Sequence, residues 1–207
     1  MEEDFQPHMR KDYMSYDQDR IRILGIAGSF RRESHNRSLL QALQDFAPLG
    51  TEFEIAELRE LPFYDADADA AGPPATVRSF KERIRVADAV VIATPEYNGS
   101  ISGVLHNALD WASRPHGASP LRDKRVAIAS VATGLRGGPR ALQALRQLLA
   151  AMRASTLAEP ELIVTQAGAR FDGGRLIDAE TGDRLREFLI TVVDTARQLR
   201  QIETRAA

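Results

Sequence analysis

The chain has 207 residues and a mass of 22.9 kDa, enough for a single domain that buries well over half of the surface its unfolded form exposes. With 43% hydrophobic and 27% charged residues, a net charge of −2 and no dense basic run, it has the make-up of a globular protein without the electrostatic footprint of a nucleic-acid or anionic-membrane binder, so the expected ligand is small. Cysteine is absent, which excludes thiolate catalysis and a disulfide framework, so any redox chemistry needs a borrowed cofactor.

Residues 1–19 are polar, mixed in charge and without periodicity, and are expected to be a disordered tail outside the fold, which then occupies 20–207. The start of the chain, with Glu2, Glu3 and Asp4, lacks a signal-like apolar run, and no later stretch has the length of a membrane span. The expected location is the cytoplasm. Arginine carries nearly all the positive charge, with lysine only at Lys11, Lys81 and Lys124, which reads as genomic base composition rather than as an anion-binding surface.

Ile21–Ala27 is the first expected strand, β-branched and almost continuously apolar, as in a sheet covered on both faces. A helix follows, with Leu39, Ala42, Leu43 and Phe46 at helical spacing. The stretch 52–57 alternates, with Phe53 and Ile55 on one face and charge on the other, which suits a strand near the sheet edge. Next come a charged surface helix over 75–87, a buried strand over 89–94 and a helix marked by Leu105, Ala108, Leu109 and Ala112.

The strand Arg125–Val131 leads to a helix over 139–152 with two apolar stripes, Leu142/Leu145/Leu149/Met152 and Ala141/Ala144/Leu148/Ala151. Either the second stripe meets another subunit or the helix is deeply buried in its own domain; periodicity alone does not separate the two. Leu162–Val164 is the last strand, and Leu185, Phe188, Leu189, Val192, Val193, Ala196 and Leu199 mark a long final helix. The alternation gives an α/β fold, a doubly wound sandwich on a five-stranded parallel sheet.

In such a sheet the ligand lies beyond the carboxyl ends of the strands. The loop after the first strand reads Gly28-Ser29-Phe30-Arg31-Arg32-Glu33-Ser34-His35-Asn36 and runs into a helix. Gly28 permits a tight turn, while Ser29, Ser34 and Asn36 offer donors and the helix start adds unpaired N–H groups. A phosphomonoester fits there, with Arg31 or Arg37 as counter-charge; the same residues also make an ordinary polar helix cap. The P-loop, the dinucleotide glycine fingerprint and the nucleophile elbow are all absent from the sequence.

After the central strand, Pro95-Glu96-Tyr97-Asn98-Gly99 combines a rigid proline, an aromatic and small hydrogen-bonding residues, which suits the polar edge of a flat heterocycle. A third, Gly-rich loop over 132–139 contains Gly134. Its simpler reading is a strand-to-helix turn with Pro139 at the first helical position. No two of His8, His35, His106 and His116 have metal-ligand spacing, so no metal site is assigned.

Together, G-S-x-R-x-x-S-x-N at 28–36 and P-E-Y-N at 95–98, with N-A-L-D-W at 107–111 downstream, resemble the NADPH-dependent FMN reductase family, which includes bacterial chromate, quinone and azo-dye reductases. The resemblance runs from about Ile21 to Leu199 and implies a flavodoxin-like fold. It implies that Ser29, Arg31, Ser34 and Asn36 hold the FMN phosphate, that Pro95, Glu96, Tyr97 and Asn98 line the isoalloxazine, and that Gly134 lies beside the flavin.

It further implies ping-pong hydride transfer from NADPH or NADH to a small acceptor such as a quinone, chromate, an azo compound or free flavin, with the flavin performing the chemistry and no catalytic side chain. A homodimer or homotetramer is implied too, which suits the second stripe and Trp111, expected here as an exposed aromatic. His106 departs from the family pattern, in which many relatives carry Lys. The alternative is a non-enzymatic flavodoxin-like electron carrier, although such carriers are usually strongly acidic. A receiver-type signalling domain would need acidic residues where Gly28 and Ser29 stand.

Overall fold

A computed structural model describes residues 20–158 and 161–206. The stretch 1–19, expected as a tail, lies outside the described residues. In chain order the first half consists of β1 (Ile21–Ala27), α1 (His35–Asp45), β2 (Thr51–Ala56), α2 (Ala66–Ala71), α3 (Ala75–Val86), β3 (Ala89–Ala93) and α4 (Gly103–Ala112). The second half consists of β4 (Arg125–Val131), α5 (Pro139–Ala151), β5 (Ser155–Thr156), β6 (Leu162–Val164), α6 (Ala167–Arg170), the short hairpin β7 (Phe171–Asp172) and β8 (Arg175–Leu176), and α7 (Ala179–Ala206).

The main sheet is parallel, in the order β2-β1-β3-β4, and its fifth position is filled in two pieces. β5 pairs with Arg125 and Val126, and β6 pairs with Ala129, Ser130 and Val131. The expected five-stranded parallel sheet is present, with its last strand interrupted; the sequence between the pieces contains Pro160, which has no N–H to give a ladder. β2 is the edge strand the alternation predicts. Its outer residues are paired to neighbouring arginines, Arg22 with Glu52 at 3.6 Å and Arg83 with Glu54 at 2.6 Å.

Alternate residues of each strand serve two cores. Ile21 and Ile23 of β1 join Leu39, Leu43, Phe188 and Val192, so α1 and α7 cover one face. Leu24 and Ile26 join Ile84, Leu105, Leu109 and Leu145, so α3, α4 and α5 cover the other. Both faces of the sheet are therefore dry, which is why the strands read as continuous apolar runs.

Helix starts explain the main differences from the sequence reading. α2 has no apolar stripe to reveal it and forms because the Asp65 side chain accepts from the N–H groups of Asp67 and Ala68. α7 begins six residues before Leu185 because the Asp178 carboxylate accepts from both the N–H and the hydroxyl of Thr181, at 2.8 and 2.6 Å. These bonds hold the Asp178 carboxyl below the usual carboxylate range.

Trp111 corrects the expectation of an exposed aromatic: it is 0% exposed. It lies three residues after Ala108 and so faces the core, its indole N–H donates to the Pro62 carbonyl at 2.9 Å, and its ring meets Tyr64 edge-on at 5.0 Å. The second stripe of α5 divides: Ala141 is buried, Ala144 and Leu148 are half-buried, and Ala151 is exposed. Replacing Trp111 by Ala removes the ring and one of the two donors to the Pro62 carbonyl, the Asn107 amide being the other. A loss of about 3–5 kcal/mol is expected in urea unfolding, and a loss under about 1 kcal/mol would contradict this packing.

Candidate functional site

The strand order 2-1-3-4-5 reverses between β1 and β3, so the loops leaving these two strands diverge toward opposite faces and open a crevice. The candidate cofactor-binding residues lie on the loops after β1, β3 and β4, at this end of the sheet, except Asn36, which is the second residue of α1. Gly28 forms the floor. A Cβ there would stand 3.1 Å from Thr94 Oγ1, 3.2 Å from Leu105 Cβ and 3.3 Å from Ser102 Oγ, so glycine is needed for close approach rather than for a turn.

Ser34 caps α1, its Oγ accepting from Arg37 N at 3.3 Å. The N–H groups of His35 and Asn36 have no acceptor among the described residues, and the first turn of α1 carries no acid. Ser29 lies at the mouth, with its Oγ 3.3 Å from Arg31 N, and the Arg31 guanidinium is exposed with no ion pair among the described residues. Two free N–H groups, two hydroxyls and an unpaired guanidinium thus surround one helix start, the chemistry of an anion cradle.

The Asn36 side chain does something else. It is 3% exposed; its Nδ2 donates to the Val131 carbonyl at 3.1 Å while its Oδ1 accepts from Val131 N at 3.0 Å. Both ends of the amide are used to dock α1 on the end of β4, and only its backbone N–H faces the cradle requirement. His35, the first residue of the helix, packs on Phe171 with ring centres 6.1 Å apart. Burial, and after it the Arg31 charge, push its imidazole below the ordinary value, with Glu33 acting in the opposite direction.

The second loop is a tight turn. Tyr97 and Ser100 exchange N–H···O bonds at 3.0 Å each, and the two residues between them, Asn98 and Gly99, have φ of 52° and 76°, as a type I′ turn requires. Pro95 is buried at its base, and Tyr97 is 53% exposed and presents its ring at the mouth. Glu96 points to the third loop, where its Oε2 accepts from Arg140 N at 3.0 Å in the first turn of α5.

In the third loop Gly134 is exposed, with an ordinary φ and open space around it; its carbonyl accepts from Gln166 N at 3.2 Å. The glycines under constraint are its neighbours Gly137 and Gly138, with φ of 71° and 87°. A Cβ on Gly137 would collide with Ile163, and one on Gly138 with the Ser130 hydroxyl. Sequence reasoning passed over these two, although Gly137-Gly138-Pro139 is a strong turn signal. It also passed over Ser102, which is 2% exposed. Ser102 Oγ donates to the Gly28 carbonyl at 2.5 Å and accepts from Leu105 N at 3.2 Å, so it caps α4 and fastens it to the first loop.

These contrasts give a direct test. Gly138→Ala is expected to cost about 1–3 kcal/mol in denaturant unfolding, because both φ and the Ser130 contact oppose it. Gly134→Ala is expected to change stability by no more than about 0.5 kcal/mol. Equal effects at the two positions would contradict the loop geometry.

Comparison with known proteins places this arrangement. The model of a family described as NADPH-dependent FMN reductase matches residues 21–169. An NAD(P)H-dependent FMN reductase of Pseudomonas aeruginosa is 40% identical over 183 residues, covering 88% of this chain and 98% of the relative. A quinone reductase of Pseudomonas putida is 40% identical over 170 residues, covering 82% of this chain and 89% of the relative. Among solved structures, a flavoenzyme NAD(P)H:(acceptor) oxidoreductase from Paracoccus denitrificans is 32% identical with a TM-score of 0.78, covering 86% of this chain and 98% of that one. With the fold of this solved structure and a family match over most of its length, the chain belongs to the NADPH-dependent FMN reductases, oxidoreductases that work with FMN and a reduced nicotinamide.

Proposed function

We propose that this chain passes electrons from NAD(P)H through FMN to a small oxidised acceptor, with a quinone as the first class to try, and that the loops after β1, β3 and β4 hold the flavin. The observation that carries this reading is the cradle at the start of α1. A phosphomonoester carries close to two negative charges at neutral pH. The free N–H groups of His35 and Asn36, the hydroxyls of Ser29 and Ser34 and the Arg31 guanidinium offer it donors, one full positive charge and the positive end of a helix.

When bound, FMN would supply the two-electron chemistry that links the nicotinamide to the acceptor. The chain's own residues orient and expose. Pro95 and the turn through Asn98 and Gly99 set the backbone edge that meets the ring's polar side, and Tyr97 contributes apolar surface at the mouth. Glu96 holds that edge against α5 through Arg140 N, while Gly134 and its exposed neighbours border the opening. Asn36 acts by positioning, since its amide is committed to Val131.

No side chain needs to transfer a proton in this scheme. The open mouth admits donor and acceptor in turn, which supports a ping-pong order. The half-buried stripe of Ala144 and Leu148, with Phe63 89% exposed, supports self-association as a dimer or tetramer. No helix among the described residues is long and apolar enough to cross a membrane, and a donor drawn from the nicotinamide pool fits a cytoplasmic enzyme.

The test is spectroscopic. Protein reconstituted with FMN is expected to bleach rapidly on anaerobic addition of NADPH and to recover its colour with a quinone. Failure to bind flavin would overturn the site, and binding without reduction by either NADPH or NADH would overturn the reaction. Arg31→Ala is expected to weaken FMN retention about tenfold or more, consistent with one charge-assisted bond; Tyr97→Ala is expected to change turnover and the flavin spectrum more than affinity.

His35 gives a readout independent of activity. In the flavin-free protein its pKa lies below 6.5, so it contributes stability above about pH 6.5 that is lost as the pH falls through the folded value. A phosphate beside Arg31 opposes that charge, and an NMR titration is expected to show the His35 pKa rising when FMN binds. An unchanged value would place the phosphate elsewhere.

A further inference from the structure

The far end of the sheet carries a second concave, charged feature that the flavin site does not use. α3 and α4 run back from the carboxyl end of the strands, so the segment 113–124, which joins α4 to β4, lies at the opposite end from the cradle. Between this segment and the outer face of α3 is a cavity of about 600 Å³. Arg78, Lys81 and Arg85 reach it from α3 at positions i, i+3 and i+7, and Arg114, Arg122 and Lys124 reach it from the facing segment.

The way these cations are held matters more than their number. Arg78 Nη1 donates to the Pro73 carbonyl at 2.5 Å and Arg122 Nη1 to the Gly117 carbonyl at 3.3 Å. The Arg114 guanidinium lies over the Tyr64 ring at 5.2 Å, and its Nε is buried without an acceptor. Carbonyl oxygens and a ring face fix a cation in place without cancelling its charge. Among the described residues two carboxylates face the group: Glu82 is taken up by Arg85 in a bidentate pair, and Asp123 stands 3.5 Å from Arg122 Nε. Arg78, Lys81 and Arg114 have no carboxylate partner among the described residues.

The remaining wall is mostly apolar, built from Pro73, Pro115, Ala118 and Pro120, with Ser119 among them. A site for a simple anion needs no such wall, and the volume is that of a pocket for a molecule of cofactor size. We propose that this cavity binds a nucleotide bearing two or more phosphates, the phosphates on Arg78, Lys81 and Arg114 and the base against the prolines. It is a second nucleotide site, separate from the flavin and independent of the functional reading above. Arginine usage that reads as mere base composition along the chain becomes, in three dimensions, a positioned charge cluster on a chain of net charge −2.

The experiment is calorimetric titration of the FMN-saturated protein with ADP, with inorganic pyrophosphate as a second probe. One ADP per chain is expected, with affinity falling about tenfold or more in Lys81→Glu and in Arg78→Glu, both surface changes, and unaltered in Arg31→Ala. Lys81→Gln, which removes one charge without reversing it, is expected to give an intermediate loss. No detectable ADP binding at millimolar concentration would overturn the proposal. So would ADP binding that is lost in Arg31→Ala but kept in Lys81→Glu, since the anion would then be entering the flavin cradle. Pyrophosphate binding as tightly as ADP would overturn the nucleotide assignment, because the proline wall would contribute nothing.

Discussion

The reciprocal pair between the Asn36 amide and the backbone of Val131 is the constraint on which the functional end of the molecule depends. It joins residues 95 positions apart, and both partners are buried. Leaving either half unmade in such a setting costs about 1–3 kcal/mol. Two further bonds complete a closed circuit: Ser102 Oγ to the Gly28 carbonyl links the first and second loops, and Arg140 N to Glu96 links the second and third. Three loops leaving three different strands are thus fixed relative to one another by groups that need not touch a ligand, which is how a binding surface on loops acquires a defined shape.

The circuit exists because of the strand order. A reversal between β1 and β3 sends α1 to one face and α4 to the other, and only residues at the carboxyl ends of β1, β3 and β4 can bridge the gap. Close approach there disfavours side chains at Gly28 and Gly138, and the helix start of α1 is left with donors that have no acceptor among the described residues. Packing supplies the rigidity, and the unspent N–H groups supply the function.

Much of this was legible in the sequence because the strands are buried on both faces, so that apolar runs such as Ile21–Ala27 and Arg125–Val131 stand out and the loops between them can be located. The motifs then identified Ser29, Arg31, Ser34, Pro95, Glu96, Tyr97 and Asn98 as residues at the crevice, and the structure gathers them there. What escaped depended on contacts distant in sequence. Asn36 carries the residue type of a ligand, yet its amide is claimed by β4. Trp111 sits at a position whose inward face becomes clear only once Pro62 and Tyr64 fold over it. Which glycines of the third loop have positive φ, Gly137 and Gly138, is likewise set by contacts with Ile163 and Ser130 that composition does not reveal.

The borders of the sheet have a consequence for how copies of the chain meet. On one side β2 presents Glu52 and Glu54, engaged with Arg22 and Arg83; on the other the fifth position is broken into β5 and β6, with two and three residues. A charged strand and an interrupted one are both poor templates for docking a foreign strand, so edge-to-edge polymerisation is discouraged at each margin. Any association between copies would thereby be steered away from the sheet margins and toward the helical faces.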